Sequence, residues 1–223
     1  DAEAILPEFA YSPCPPYRVL AITLTNKAAN EIKSRLSTAL DDSDMANDIW
    51  AGTFHSVCMR ILRVNCEKIG YKKEFTIYDA DDTKKAIANA MKRCYLDEKQ
   101  FPIKSVIAEI SRAKDKLISP SQYDAEFASD YRKSKIAKVY IEYQRTLQES
   151  NAMDFDDIIV NTVELFKKNP DVLEYYQKKF KYICVDEYQD TNAAQFVLTS
   201  MLAEGFRNLM VVGDDDQSIY KFR

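Results

Sequence analysis

Apolar residues recur along this chain with two different periods, and the change between them divides it. Residues 18–24 (RVLAITL) form a continuous apolar run that predicts a buried strand, and Thr25 and Asn26 suit the cap of an alanine-rich amphipathic helix over residues 27–40. Residues 49–54 read as a second short strand. From residue 55 to 69 the apolar positions Val57, Cys58, Ile61, Leu62 and Ile69 fall at helical spacing, and Gly70 suits a left-handed stop. Between residues 81 and 148 the pattern is helical only. Asp82 or Thr83 caps a helix with Ala86, Ile87, Ala90, Met91 and Cys94 on its inner face. Pro102 suits the first turn of the next, whose stripe is Ile103, Val106, Ile107, Ile110 and Leu117. Ser119, Pro120 and Ser121 break the chain, and residues 136–147 form another helix carrying Tyr140 and Tyr143.

Strands then return. Asp154 caps a helix to residue 166 faced by Phe155, Ile158, Ile159, Val163 and Phe166, and Pro170 opens a shorter one. Residues 181–185 read as a buried strand and residues 209–212 as another strand, on either side of a helix over residues 192–202. Strands alternating with helices predict an α/β fold, a parallel sheet covered on both faces. The all-helical stretch is expected as an insertion, giving one domain from residues 1–79 plus 154–223 and a helical subdomain over residues 80–153.

The 223 residues are 46% hydrophobic, enough for one sizeable core or two small ones. No apolar run approaches a membrane span. Five cysteines without CxxC spacing point to reduced thiols in a cytoplasmic protein, and a lone His55 rules out a multi-histidine metal site. The net charge is −4, yet residues 80–153 hold 14 Lys and Arg against 11 Asp and Glu. The helical stretch is therefore the part better suited to meet a polyanion, although a charge of +3 is equally that of a solvated helical surface.

The chemistry concentrates in residues 185–192 (VDEYQDTN), directly behind a predicted buried strand. Two carboxylates at the mouth of a strand are costly without a positive partner, and hydrated magnesium on a nucleoside triphosphate is the usual one. One acid, Asp186, then holds the metal's water shell while Glu187 orients or deprotonates the attacking water. The plainer alternative makes both acids helix caps. Thr25, Asn26 and Lys27 sit where a strand meets a helix, a natural receptor for a phosphate. Phe54, His55, Tyr220 and Phe222 offer flat faces for unpaired bases, and Arg223 a phosphate partner or a stacking plane. Core packing competes for Phe54, Tyr220 and Phe222, and helix capping for His55. Asp214, Asp215 and Asp216 read as a turn rather than a second metal site.

Four segments carry a resemblance. Residues 21–29 (AITLTNKAA) resemble motif Ia of superfamily 1 DNA helicases, and residues 53–56 (TFHS) the next DNA-contacting motif. Residues 185–192 resemble motif II, and residues 212–220 (VGDDDQSIY) with Phe222 and Arg223 resemble motif III. Together, in this order and with a helical insertion between the second and third, they look like the UvrD/PcrA/Rep family. The resemblance implies a RecA-like motor domain that uses ATP and Mg2+, with Asp186 as metal ligand and Glu187 as general base. It places Gln189 and Gln217 beside the γ-phosphate, Gln217 reporting nucleotide state to the DNA site. It also implies single-stranded DNA and single/double-strand junctions as partners, three-prime to five-prime translocation, and a role in repair or replication.

The chain departs from that pattern in two ways. None of its four glycines precedes a lysine, so no GxxxxGK loop is present. In the family that loop comes before motif Ia, and the second motor domain follows motif III. The expectation is an excised piece that hydrolyses no ATP alone. Leu24 also stands where the family usually has phenylalanine, which removes a stacking ring. The helicase subunit of a helicase–nuclease complex and a non-catalytic DNA-binding remnant stay open as alternatives.

Overall fold

The computed structural model describes residues 14–40, 43–214 and 216. Its elements run β1 (Val19–Thr23), α1 (Asn26–Leu40), α2 (Ser43–Asp48), β2 (Trp50–Thr53), α3 (Phe54–Asn65), β3 (Thr76–Ile77), α4 (Ala80–Arg93), α5 (Ile103–Asp115), α6 (Pro120–Glu126), α7 (Tyr131–Glu149), β4 (Ala152–Met153), α8 (Phe155–Lys168), α9 (Pro170–Lys179), β5 (Tyr182–Val185), α10 (Ala193–Ala203) and β6 (Leu209–Val211).

Four strands form one parallel sheet in the order β2-β1-β5-β6. The α/β class expected from the alternation is the class observed. β1 lies inside the sheet, and its near-continuous apolar sequence serves two faces at once. Leu20 and Ile22 point into the larger core with Ile183 and Val185, under α3, α8 and α10. Ala21 points the other way, joining Ile49 and Ala51 beneath Ile32 and Leu36 of α1. β6 forms the far edge, and Leu209, Met210, Val211 and Val212 beside it are all exposed.

A second core belongs to the helices between. Ile87, Met91, Val106, Ile110, Tyr140, Tyr143 and Leu147 pack together from α4, α5 and α7. The chain leaves the sheet unit through β3 and returns through β4. These two-residue strands pair in parallel, Thr76 opposite Ala152 and Ile77 opposite Met153, so both crossings are zipped side by side.

Between the cores lies a buried charge cluster. Lys114 of α5 is 1% exposed, and its Nζ donates to Asp154 Oδ2 at 2.6 Å and lies 2.7 Å from Asp157 Oδ1. Asp154 also accepts from the Tyr143 hydroxyl at 2.7 Å, and Asp157 from Gln144 Nε2 at 3.1 Å. Burial alone would discharge Lys114, but the facing carboxylates of Asp154 and Asp157 outweigh it and hold the ammonium well above the ordinary lysine range. Burial likewise opposes the Asp154 charge, and Lys114 overcomes it, keeping that carboxyl below its usual value. For Asp157 burial wins and its carboxyl is pushed up.

Several local expectations change. Helix α4 starts at Ala80 with Asp79 as its cap, whose side chain accepts from Asp82 N–H. Pro102 stands just before α5, and Leu117 lies beyond its end with φ 57°. The expected break at Ser119 is the start of α6, where Ser119 and Gln122 form a reciprocal capping box and Pro120 occupies the first turn. Phe155, expected on the inner face of α8, is 57% exposed and stands outside the main core.

Candidate functional site

All four strands of the sheet are parallel, so their carboxyl ends lie together. Strand order reverses between β1 and β5, since β2 lies beyond β1 and β6 beyond β5. The crevice outside the carboxyl ends at such a reversal is where open α/β sheets receive ligands. Asp186 and Glu187 follow β5 directly into that crevice. The Asp186 N–H donates to Ile22 O at 2.9 Å, extending the pairing with β1 by one residue. Glu187 then turns the chain with φ 52°, a left-handed conformation costly for a residue with a side chain. A short 3-10 turn, Tyr188–Asp190, follows, and Glu187 makes no side-chain cap bond to it, which counts against the helix-cap alternative for that acid.

Gln189 ties this loop to the segment after β6. Its Nε2 donates to Glu187 Oε2 at 2.6 Å, and its Oε1 accepts from the Asp214 N–H at 3.1 Å. Alongside, Tyr188 N–H donates to Val212 O at 2.9 Å. Gly213 permits this approach, since a Cβ there would sit 2.6 Å from Gln189 Oε1. Downstream, Asn192 caps α10 through Gln195 and donates from Nδ2 to Asp115 Oδ1 at 2.6 Å. The acidic loop is therefore anchored to the strand beside it and to α5.

On the β1 and β2 side, Thr25, Asn26 and Lys27 are exposed at the amino end of α1, with Thr25 Oγ1 accepting from Ala28 N–H at 3.2 Å. That 15-residue helix presents its free N–H groups and positive dipole end to solvent. Phe54 is corrected as a stacking platform: it is 1% exposed and its ring packs in the main core with Val57, Cys58 and Ile61 of its own helix. His55 is half-buried and stacks on Phe155, centroids 3.9 Å apart and planes at 23°. Burial lowers its pKa to about 4, so the imidazole is neutral at physiological pH. The exposed aromatic surface at this end is thus Phe155, which its helical spacing had assigned to the core. Gln217, Tyr220, Phe222 and Arg223 lie outside the described residues, as does Asp215.

The acids fit a hydrated magnesium ion. Among the described residues neither Asp186 nor Glu187 has a cationic partner, and both are only half-buried. Magnesium characteristically takes one or two carboxylates and leaves the rest of its shell to water and substrate phosphates. Thr23 Oγ1, fully buried at the end of β1, and Asp190 Oδ1 have no hydrogen-bond partner among the described residues, which marks unspent polar capacity around the crevice. The glycine-rich phosphate cradle is not among this chain's residues.

Residues 2–223 match the UvrD/REP helicase N-terminal domain. The chain is 50% identical over 208 residues to the ATP-dependent DNA helicase PcrA of Staphylococcus aureus, covering 93% of this chain and 28% of that protein. It is 48% identical to PcrA of Staphylococcus epidermidis and 47% identical to PcrA of Bacillus subtilis over the same lengths and shares. The chain thus spans about 28% of the length of the curated relatives it matches.

Proposed function

The chain belongs to the UvrD/REP helicase N-terminal domain family, and on that premise we propose that it forms most of the first motor domain of an ATP-dependent DNA helicase. In this reading residues 1–79 and 154–223 make the motor domain and residues 80–153 a helical subdomain, a division supported by the two separate cores. The observation that carries the reading is the adjacent pair Asp186 and Glu187 in the crevice between β1 and β5.

Each residue has a stated task. Asp186 holds the magnesium ion, which supplies charge neutralisation on the nucleotide phosphates when bound. Glu187 takes the proton of the attacking water, and its Oε2 is aimed by Gln189. Gln217 and Gln189 monitor the γ-phosphate. Single-stranded DNA crosses the same end of the sheet, its phosphates meeting Thr25, Asn26 and Lys27 and its bases meeting His55 and Phe155, with Tyr220, Phe222 and Arg223 downstream. Without a GxxxxGK loop of its own, the chain alone turns over no ATP. The whole protein unwinds duplex at single/double-strand junctions in repair or replication.

The test is Glu187→Gln in the complete helicase. ATP and DNA binding persist while turnover falls by about 100-fold or more, the size expected for losing a general base. Unchanged turnover overturns the assignment.

A further inference from the structure

A groove of about 680 Å3 opens at the opposite, amino-terminal end of the sheet, between α3 and α9. Trp50, the first residue of β2, forms its wall, held edge-on by Phe180 at 5.1 Å. Two cations converge on this one indole. The Arg60 guanidinium lies 3.6 Å from the ring centroid and Lys179 Nζ 4.2 Å. Among the described residues neither is paired with a carboxylate. The other charges of the groove are spoken for. Asp171 is bound to Lys68 at 2.6 Å, and Arg63 donates to the Lys73 and Phe75 carbonyls at 3.0 Å each.

Cation–π contact holds Arg60 and Lys179 but does not cancel their mutual repulsion. Burial and the nearby Arg60 both lower the Lys179 pKa, the expected mark of a cation lacking an anion. Beside them the surface is apolar, with Val64 71% and Tyr175 60% exposed. Nucleic acid is gripped by cations spaced along its phosphates. Here the two unpaired cations meet at one point next to apolar side chains, which matches a single carboxylate flanked by an apolar neighbour.

We propose that this groove docks a short acidic segment of another protein, one Asp or Glu side chain seated between Arg60 and Lys179 and an adjacent apolar side chain lying between Val64 and Tyr175. The site stands at the far end of the sheet from Asp186, so occupying it leaves the nucleotide crevice free. The chain thereby carries a tether for a partner that is independent of its motor chemistry.

Trp50 is the only tryptophan of the chain and reads the groove directly. A capped hexapeptide alternating glutamate and leucine is titrated against Trp50 fluorescence. A saturable change is expected, with the midpoint weakened about tenfold in Arg60→Gln and again in Lys179→Gln, one charge-assisted hydrogen bond each. Circular dichroism of both variants separates lost binding from lost folding, and Val64→Asp, on the exposed rim, provides an independent loss. The proposal is overturned by no saturable change at millimolar peptide, by an equal response to a lysine–leucine hexapeptide, by midpoints unmoved in the folded variants, or by an oligothymidylate that binds more tightly and displaces the peptide.

Discussion

Lys114 and Asp154 meet at 2.6 Å in the seam between the two cores, each almost wholly out of contact with water. The lysine comes from α5, which packs in the helical core, and the aspartate from the cap of α8, which packs in the sheet core, so one charge pair joins the two cores. With Asp157 the cluster holds two carboxylates and one ammonium, and the raised Asp157 pKa follows from burial first, with the neighbouring Asp154 charge adding to it.

Lys114→Met removes the cation and leaves Asp154 and Asp157 facing one another without it. Breaking one side of a buried pair typically costs about 3–5 kcal/mol. Chemical denaturation of the variant is expected to show a loss of that order. A loss below about 1 kcal/mol would show that the cluster relaxes by protonation or water entry.

Gln189→Leu keeps the side-chain volume and cuts both the bond to Glu187 and the bond to the Asp214 amide. Losing a group that orients a catalytic residue lowers activity by about 10–100-fold. In the complete helicase kcat should drop by that factor in steady-state ATP turnover. An unchanged kcat would show that the Gln189 bond does not position Glu187.

Phe54 and Phe155 separate stability from binding. Phe54→Ala empties a core position and should cost about 3–5 kcal/mol of folding free energy. Phe155→Ala should cost much less, about 0.5–1.5 kcal/mol for the lost His55 stack, and weaken single-stranded DNA binding by about 1–3 kcal/mol, the worth of one stacked base. Fluorescence anisotropy with an oligothymidylate distinguishes them.

His55 gives the fold a pH dependence of definite sign. Its folded-state pKa of about 4 lies below the unfolded value of 6.5, so the unfolded chain takes up the proton first. The neutral imidazole contributes fully above pH 6.5, and that contribution, up to about 3 kcal/mol, drains away as pH falls from 6.5 to 4. His55→Gln should flatten the stability profile in that window. DNA affinity should show no titration near pH 6.5 traceable to His55.

What was legible beforehand followed local rules. The runs at β1 and β5 announced strands because buried parallel strands are apolar on both faces, the apolar run at β6 marked a strand that lies exposed at the sheet edge, and Asp154, Asn192 and Gly70 marked helix ends through their own side chains or φ. The paired acids and Gln189 stand within four residues of one another, so their meeting behind β5 could be expected from local sequence. The misses needed partners far away. Nothing near Lys114 says that Asp154, forty residues on, will bury it, and β3 and β4 exist only through each other. Phe155 obeyed the helical period yet faces outward, where His55 of α3 stacks on it, a partner a hundred residues away that the stripe does not reveal.

Gly213 carries a consequence out of proportion to its size. Its bare Cα lets the Gln189 amide close on Glu187 and on the Asp214 N–H together, so the one side chain joins the strand edge to the acid. The coupling is a lever with one replaceable pivot: a lone methyl at position 213 would wedge it open and leave both arms intact but disengaged.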